Sequence, residues 1–231
     1  MPSPSPAPAA VLVSNGAIAP HAPPSAAAFL DSTPGAYTTA RCSGTLLWWP
    51  RHLRRLAESA TLLARSHPHL LGLPLPRSRA LDLDFFSIHS LVNPSVRVAI
   101  HEMRTRLPMT KHEDLALTAL VSGAGAADSI SGSGDGLHVF VHVGTYAPPV
   151  FGESGARLAV AGRGRDAAAA KYASWARIRK SLEKMRPPGV TELLLTNDGD
   201  HILEGAVTNF FVVCQQASLT SGKQKRKATG G

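Results

Sequence analysis

The sequence predicts an α+β protein built in two parts. Three observations carry that expectation. Strand-like and helix-like patterns alternate irregularly, no segment repeats itself, and residues 146–155 form a Pro/Gly-bearing stretch dividing a longer first part from a shorter second one. Irregular alternation argues for α+β rather than a doubly wound sheet. The chain has 231 residues, 44% hydrophobic and 17% charged, which is enough apolar material for a sizeable core. The expected organisation is a disordered Pro/Ser/Ala leader at 1–10, a first α+β domain at 11–145, a linker at 146–155, a second domain at 156–214 and a basic tail at 215–231.

The first domain opens with Val11-Leu12-Val13-Ser14, a strand entering an Asn15-Gly16 hairpin turn. A Pro/Ala loop at 22–28 and a Pro34-Gly35 turn lead to the β-prone run Tyr37-Thr38-Thr39-Ala40-Arg41. Leu46-Leu47-Trp48-Trp49 reads as another strand, ended by Pro50. Residues 52–66 then form an amphipathic helix, with Leu53, Leu56, Ala60 and Leu63 on one stripe and Pro68 as the stop. A second helical region, 81–106, is expected to break near Asn93-Pro94. Strands are expected at 115–121 and 137–143, joined by a Gly/Ser/Ala-rich loop at 123–136. In the second domain a strand at 157–161 precedes a helix from about Asp166 to Lys184, which Pro187-Pro188-Gly189 ends. The strand 191–196, an Asn197-Asp198-Gly199-Asp200 hairpin, Ile202-Leu203 and the apolar strand 210–213 follow.

The net charge of +8 raises a nucleic-acid reading, but its distribution argues against one. Lys223, Lys225, Arg226 and Lys227 of the tail supply half of the excess, and no aromatic-interleaved basic stripe accompanies the rest. Cys42 and Cys214 lack partners at metal-ligand spacing and read as free thiols. No stretch is apolar enough to span a membrane, and the uncharged leader resembles neither a secretory signal nor a transit peptide, so a cytoplasmic location is the default. Gly123-Ala124-Gly125 lacks the third glycine of a dinucleotide loop, and His101-Glu102 lacks the second histidine of a zinc protease helix. The histidine pairs His67/His69 and His138/His142 have no acidic or thiol companions, so no metal site is expected.

Three segments remain. The first is Glu204-Gly205-Ala206-Val207-Thr208-Asn209-Phe210-Phe211, directly after the hairpin. The second is Lys171, thirty-three residues before Glu204 and one helix, strand and hairpin upstream of it. The third is His52-Leu53-Arg54-Arg55-Leu56, preceded by Gly35-Ala36-Tyr37-Thr38-Thr39-Ala40-Arg41. In this order they resemble the signatures of the class IV, or fold type IV, aminotransferases, and the resemblance covers about residues 11–214. It implies a two-domain enzyme, with a smaller N-terminal domain and a C-terminal pseudo-barrel, that binds pyridoxal 5′-phosphate. Lys171 would carry the cofactor as a Schiff base and act as the catalytic residue, Glu204 would face the ring nitrogen and Arg55 would hold the phosphate.

Those residue types suit that chemistry. The cofactor is an electron sink that the protein must anchor, orient and tune. A lysine amine can attach to an aldehyde and later move a proton. A carboxylate beside the ring nitrogen keeps it protonated, and a guanidinium matches a phosphate with two parallel donors. The implied reaction passes an amino group between an amino acid and a 2-oxo acid, and the resemblance allows a homodimer. The Thr38-Thr39-Ala40-Arg41 wording stands nearest the aminodeoxychorismate lyase branch, the alternative enzyme; a non-catalytic fragment is the other. Two departures qualify the resemblance. After Phe211 the family continues through further strands and a Gly-containing phosphate loop, whereas here Gln, Ser and Lys follow, so an incomplete barrel and impaired activity are expected. At Ser122-Gly123 no arginine stands where D-amino-acid branch members hold the substrate carboxylate.

Overall fold

In the computed structural model, residues 10–73, 83–107, 113–123, 136–148, 155–197 and 201–213 are described. The Asn15-Gly16 turn joins β1 (Ala10–Ser14) to β2 (Ala17–Ile18), with Asn15 and Gly16 at φ of 46° and 82°. Positive φ at both turn residues matches the right-handed twist of the flanking strands. The Asn15 side chain also accepts from Val139 N at 2.8 Å, tying the turn to a neighbouring strand. That neighbour is β6 (Leu137–Thr145), and the sheet continues through β5 (Leu115–Gly123) and β3 (Ala36–Ser43) to β4 (Thr45–Leu46). The order is β2-β1-β6-β5-β3-β4, and every pair is antiparallel. Central β5 is buried along almost its whole length, which is why it is mostly apolar, interrupted only by Thr118 and Ser122 before its closing glycine.

Two helices cover this sheet: α2 (Trp49–Ser66) and α3 (Phe85–Arg106). The stripe Leu53, Leu56, Ala60, Leu63 is wholly buried, as its spacing predicts. The expected strand at 46–49 is cut short. The chain turns at Trp48, which adopts φ 55°, and Pro50 lies in the first helical turn. Proline's fixed φ and missing N–H suit that position, so Pro50 starts a helix rather than stopping a strand. The break expected at Asn93-Pro94 is also absent, and α3 runs through it. Pro94 sits on the exposed side, so the carbonyl it deprives of a partner meets water. On the inner side the helix is held at both neighbours, Trp49 Nε1 donating to Asn93 Oδ1 and Gly16 N to Ser95 Oγ, each at 2.9 Å.

A second sheet, β7-β8-β9, follows: β7 (Leu158–Arg163) runs parallel to β8 (Glu192–Thr196), and β9 (Ile202–Gly205) antiparallel to it. Between β7 and β8 lies α4 (Ser174–Lys184), which packs on α1 (Ala26–Ser32) with Lys180 Nζ 2.7 Å from Asp31 Oδ2. One apolar cluster runs from Leu53 and Val141 of the first part to Tyr172, Leu193 and Ala206 of the second. The helix expected from Asp166 begins only at Ser174. Residues 166–170 form turns, and Tyr172 makes a bridge to Ala36. The alanine run there favours helix only weakly, and the hydrogen bonds that clamp residues 171–173 to the first sheet outweigh it. Residues 210–213 are not a strand; Phe211 and Val213 stand 90% and 95% exposed, with no neighbouring strand among the described residues. Most of the Gly-rich loop, most of the linker, the core of the Asn-Asp-Gly hairpin, the leader and the tail lie outside the described residues.

Candidate functional site

Lys171 is fixed where the two sheets meet. Its N–H donates to Ser59 Oγ of α2 at 3.0 Å, and its carbonyl accepts from Tyr37 N of β3 at 3.0 Å. Ala173 N donates to Gly35 O at 2.9 Å, completing the clamp. Gly35 is required there, because a Cβ would stand 2.5 Å from Val121 O. The clamp aims the Lys171 side chain into a cavity of about 520 Å³, within the range of small-molecule sites. Its Nζ lies 4.8 Å from the centre of the Tyr37 ring. Burial, with Arg55 and Arg165 nearby, pushes this amine down from 10.5 to about 8. At neutral pH roughly one molecule in ten therefore carries the uncharged, nucleophilic amine.

Glu204 reaches the same cavity from the end of β9. Arg165 grips it through three donors: the backbone N–H to Oε1 at 3.0 Å, Nε to Oε2 at 2.8 Å, and Nη2 to the same oxygen. Both side chains are less than a fifth exposed, so solvent screens the pair little. The arginine fixes the orientation of Glu204 and leaves its oxygens further lone pairs for a donor in the cavity. The turn after it is tight, since a Cβ on Gly205 would sit 2.2 Å from Thr208 O. That turn is pinned from below by buried Glu192, which accepts from Thr208 N at 2.7 Å and Thr208 Oγ1 at 2.6 Å. Burial alone would raise the Glu192 carboxyl, but those hydrogen bonds outweigh it and hold it below the ordinary carboxylate range.

Arg55 lines the cavity from α2 and makes no hydrogen bond or ion pair among the described residues. His52, one turn earlier, meets Thr38 Oγ1 at 2.8 Å through Nδ1. Burial, then Lys171, Arg55 and Arg51, lower its pKa, so it is neutral at pH 7. This contact locks α2 against β3, placing Arg55 and Tyr37 in the same cavity. Tyr37 is raised by burial, and Arg179, Arg165 and Arg55 pull it partly back. All three residues singled out in the sequence, Lys171, Glu204 and Arg55, thus line one cavity. Arg165, Arg179 and the pinning residue Glu192 escaped sequence reading. Arg165 lies six residues before Lys171, and no spacing rule marks it.

A lysine with a lowered pKa, a carboxylate held by Arg165 and an arginine without a partner among the described residues line one cavity, a donor set that suits an anionic, carbonyl-bearing ligand. Pyridoxal 5′-phosphate fits that donor set: Arg55, without a partner among the described residues, could take a phosphate, Glu204 is fixed as an acceptor and Lys171 could react with an aldehyde. Comparisons agree with this reading of the fold. The family model for amino-transferase class IV matches residues 35–226, and the chain belongs to that family of pyridoxal-phosphate enzymes. No curated protein matches the sequence. Among solved structures, a fold IV transaminase from Curtobacterium pusillum is similar at 17% identity and TM-score 0.56, over 85% of this chain and 66% of that one. A hypothetical aminotransferase from Mycobacterium tuberculosis in its PLP-bound form is similar at 20% identity and TM-score 0.52, over 86% and 66%. A branched-chain amino acid aminotransferase complexed with N-(5′-phosphopyridoxyl)-L-glutamate is similar at 18% identity and TM-score 0.51, over 85% and 62%. The chain thus spans about two thirds of the length of these structures. Among the described residues no helix is long and apolar enough to cross a membrane.

Proposed function

We propose that this chain holds pyridoxal 5′-phosphate on Lys171 and passes an amino group from an amino acid to a 2-oxo acid. The observation that supports it is the meeting of Lys171, Arg165-held Glu204 and unpartnered Arg55 on one cavity. When bound, the cofactor supplies an electron sink for charge developing at the substrate's Cα. Arg55 binds the phosphate with parallel charged donors. Glu204 keeps a proton on the ring nitrogen, and Arg165 prevents Glu204 from turning away. Lys171 would take the proton from the substrate's Cα, since an amine can act as both base and acid. Tyr37 and Trp175 wall the cavity.

Residues 11–145 and 156–214 are proposed as the two domains, with the site between them. Phe211 lines the cavity and, among the described residues, stands exposed, which supports weak cofactor retention and slow turnover. The decisive experiment is borohydride reduction after incubation with the cofactor, followed by peptide mapping. A reduced adduct on the peptide containing Lys171, absent in Lys171→Ala, is expected. An adduct elsewhere, or none, would overturn the proposal.

A further inference from the structure

Among the described residues the cavity wall carries four basic side chains, Arg55, Arg165, Lys171 and Arg179, against one carboxylate, Glu204. Arg165 is engaged by Glu204. Under the function proposed above, Lys171 would be joined to the cofactor and Arg55 would face its phosphate. Arg179 is left over, and nothing so far uses it.

Arg179 projects from the inner face of α4, and its side chain is 28% exposed. Its one ion partner among the described residues is Glu183, one turn along the same helix, with Nε 3.1 Å from Oε1. That approach meets the distance for an ion pair but not the geometry of a hydrogen bond, so the buried Nε–H has no hydrogen-bond acceptor among the described residues. The geometry decides the matter, because an N–H that does not point at its acceptor gains little. Glu183 is 38% exposed and does not line the cavity, so water screens its charge. Arg179 therefore faces the cavity with fork donors that no described residue satisfies.

A substrate of this reaction always carries an α-carboxylate, and that group needs a cation. The Ser122-Gly123 corner offers none: Ser122 is buried and turns its hydroxyl to Gly123 O. We propose that Arg179 is the substrate-binding residue that receives the carboxylate of the amino acid or 2-oxo acid. This rests on the function proposed above. The chemistry, a guanidinium for an oxyanion, is shared with phosphate binding, so the test must separate the two sources.

Hexanoate, a carboxylate with no reactive carbonyl, is the probe, titrated by calorimetry into cofactor-loaded and cofactor-free protein, with hexanamide as the neutral control. Cofactor affinity is measured separately by absorbance. Arg179→Met is expected to weaken hexanoate about ten- to hundredfold, the worth of a charge-assisted pair, while cofactor affinity changes less than about threefold. Arg179→Lys restores part of the loss, and Arg55→Met shows the opposite pattern. Equal hexanoate binding in wild type and Arg179→Met would overturn the proposal, as would a cofactor loss in Arg179→Met matching that in Arg55→Met. If wild type binds no cofactor, the proposed function fails; an Arg179-dependent hexanoate signal in the cofactor-free chain would still support the carboxylate site.

Discussion

Replacing Lys171 by methionine should make the cofactor-free protein more stable at neutral pH. The amine falls from its ordinary 10.5 to about 8 in the fold because it is buried and faces Arg55 and Arg165. The unfolded chain therefore holds this proton more tightly than the folded one, and below pH 8 the charged lysine costs the fold about 3 kcal/mol. Between pH 8 and 10.5 the folded amine is already neutral while the unfolded one still loses its proton, so stability rises through that window. At about pH 9.5 roughly 1.4 kcal/mol of the cost is left. The Tyr37 ring, 4.8 Å from Nζ, acts the other way. An attraction of about 0.5–1 kcal/mol is too small to reverse the sign. Methionine keeps the length of the side chain and removes the charge. The net gain expected for Lys171→Met is about 2 kcal/mol at pH 7, an increase in urea midpoint of close to 1 M. Urea titrations of both proteins at pH 7 and about pH 9.5 are the assay. Equal midpoints at pH 7, or a gap that does not narrow at the higher pH, would refute the reasoning.

Arg55→Met should weaken the cofactor about ten- to hundredfold, the value of one charged hydrogen-bonding partner, read by absorbance titration. Glu204→Gln leaves Arg165 with an imperfect partner and should cost about 1–3 kcal/mol in urea unfolding, while slowing proton removal from Cα in isotope exchange. Gly205→Ala should cost a similar amount, about 1–3 kcal/mol, because its Cβ meets Thr208 O at 2.2 Å; a midpoint equal to wild type would mean that the turn relaxes freely. His52 titrates below its ordinary 6.5 in the fold, so stability is lost as pH falls from 6.5 through that lower value. His52→Gln should flatten this acid-side slope, and an unchanged slope would assign it to another group.

Much of the architecture could be read from the chain because its signals are local. The Asn15-Gly16 turn, the Leu53-Leu56-Ala60-Leu63 stripe and the apolar run of β5 each express a backbone period or a turn preference, and each is found where the residues place it. Lys171, Glu204 and Arg55 stand out because the segments that carry them resemble, in order, the class IV aminotransferase signatures, and all three line the cavity. The errors lie where a distant contact outweighs a local preference. Alanines 167–170 favour helix by tenths of a kcal/mol, whereas Ser59, Tyr37 and Gly35 hold residues 171–173 by hydrogen bonds that only a folded sheet can supply. Pro94 is tolerated because the helix turns it to water, an orientation the sequence does not encode at that residue. Arg165 and Arg179 were unreadable for the deeper reason. A guanidinium on a polar surface and one facing a cavity have the same local sequence, and what distinguishes them is Glu204, thirty-nine residues away along the chain but in contact with Arg165, and the empty acceptor side of Arg179. The sequence alone determined the kinds of residue and their periodic placement. The tertiary structure decided which charges are paired, because pairing depends on distances between segments that meet only when both sheets are packed.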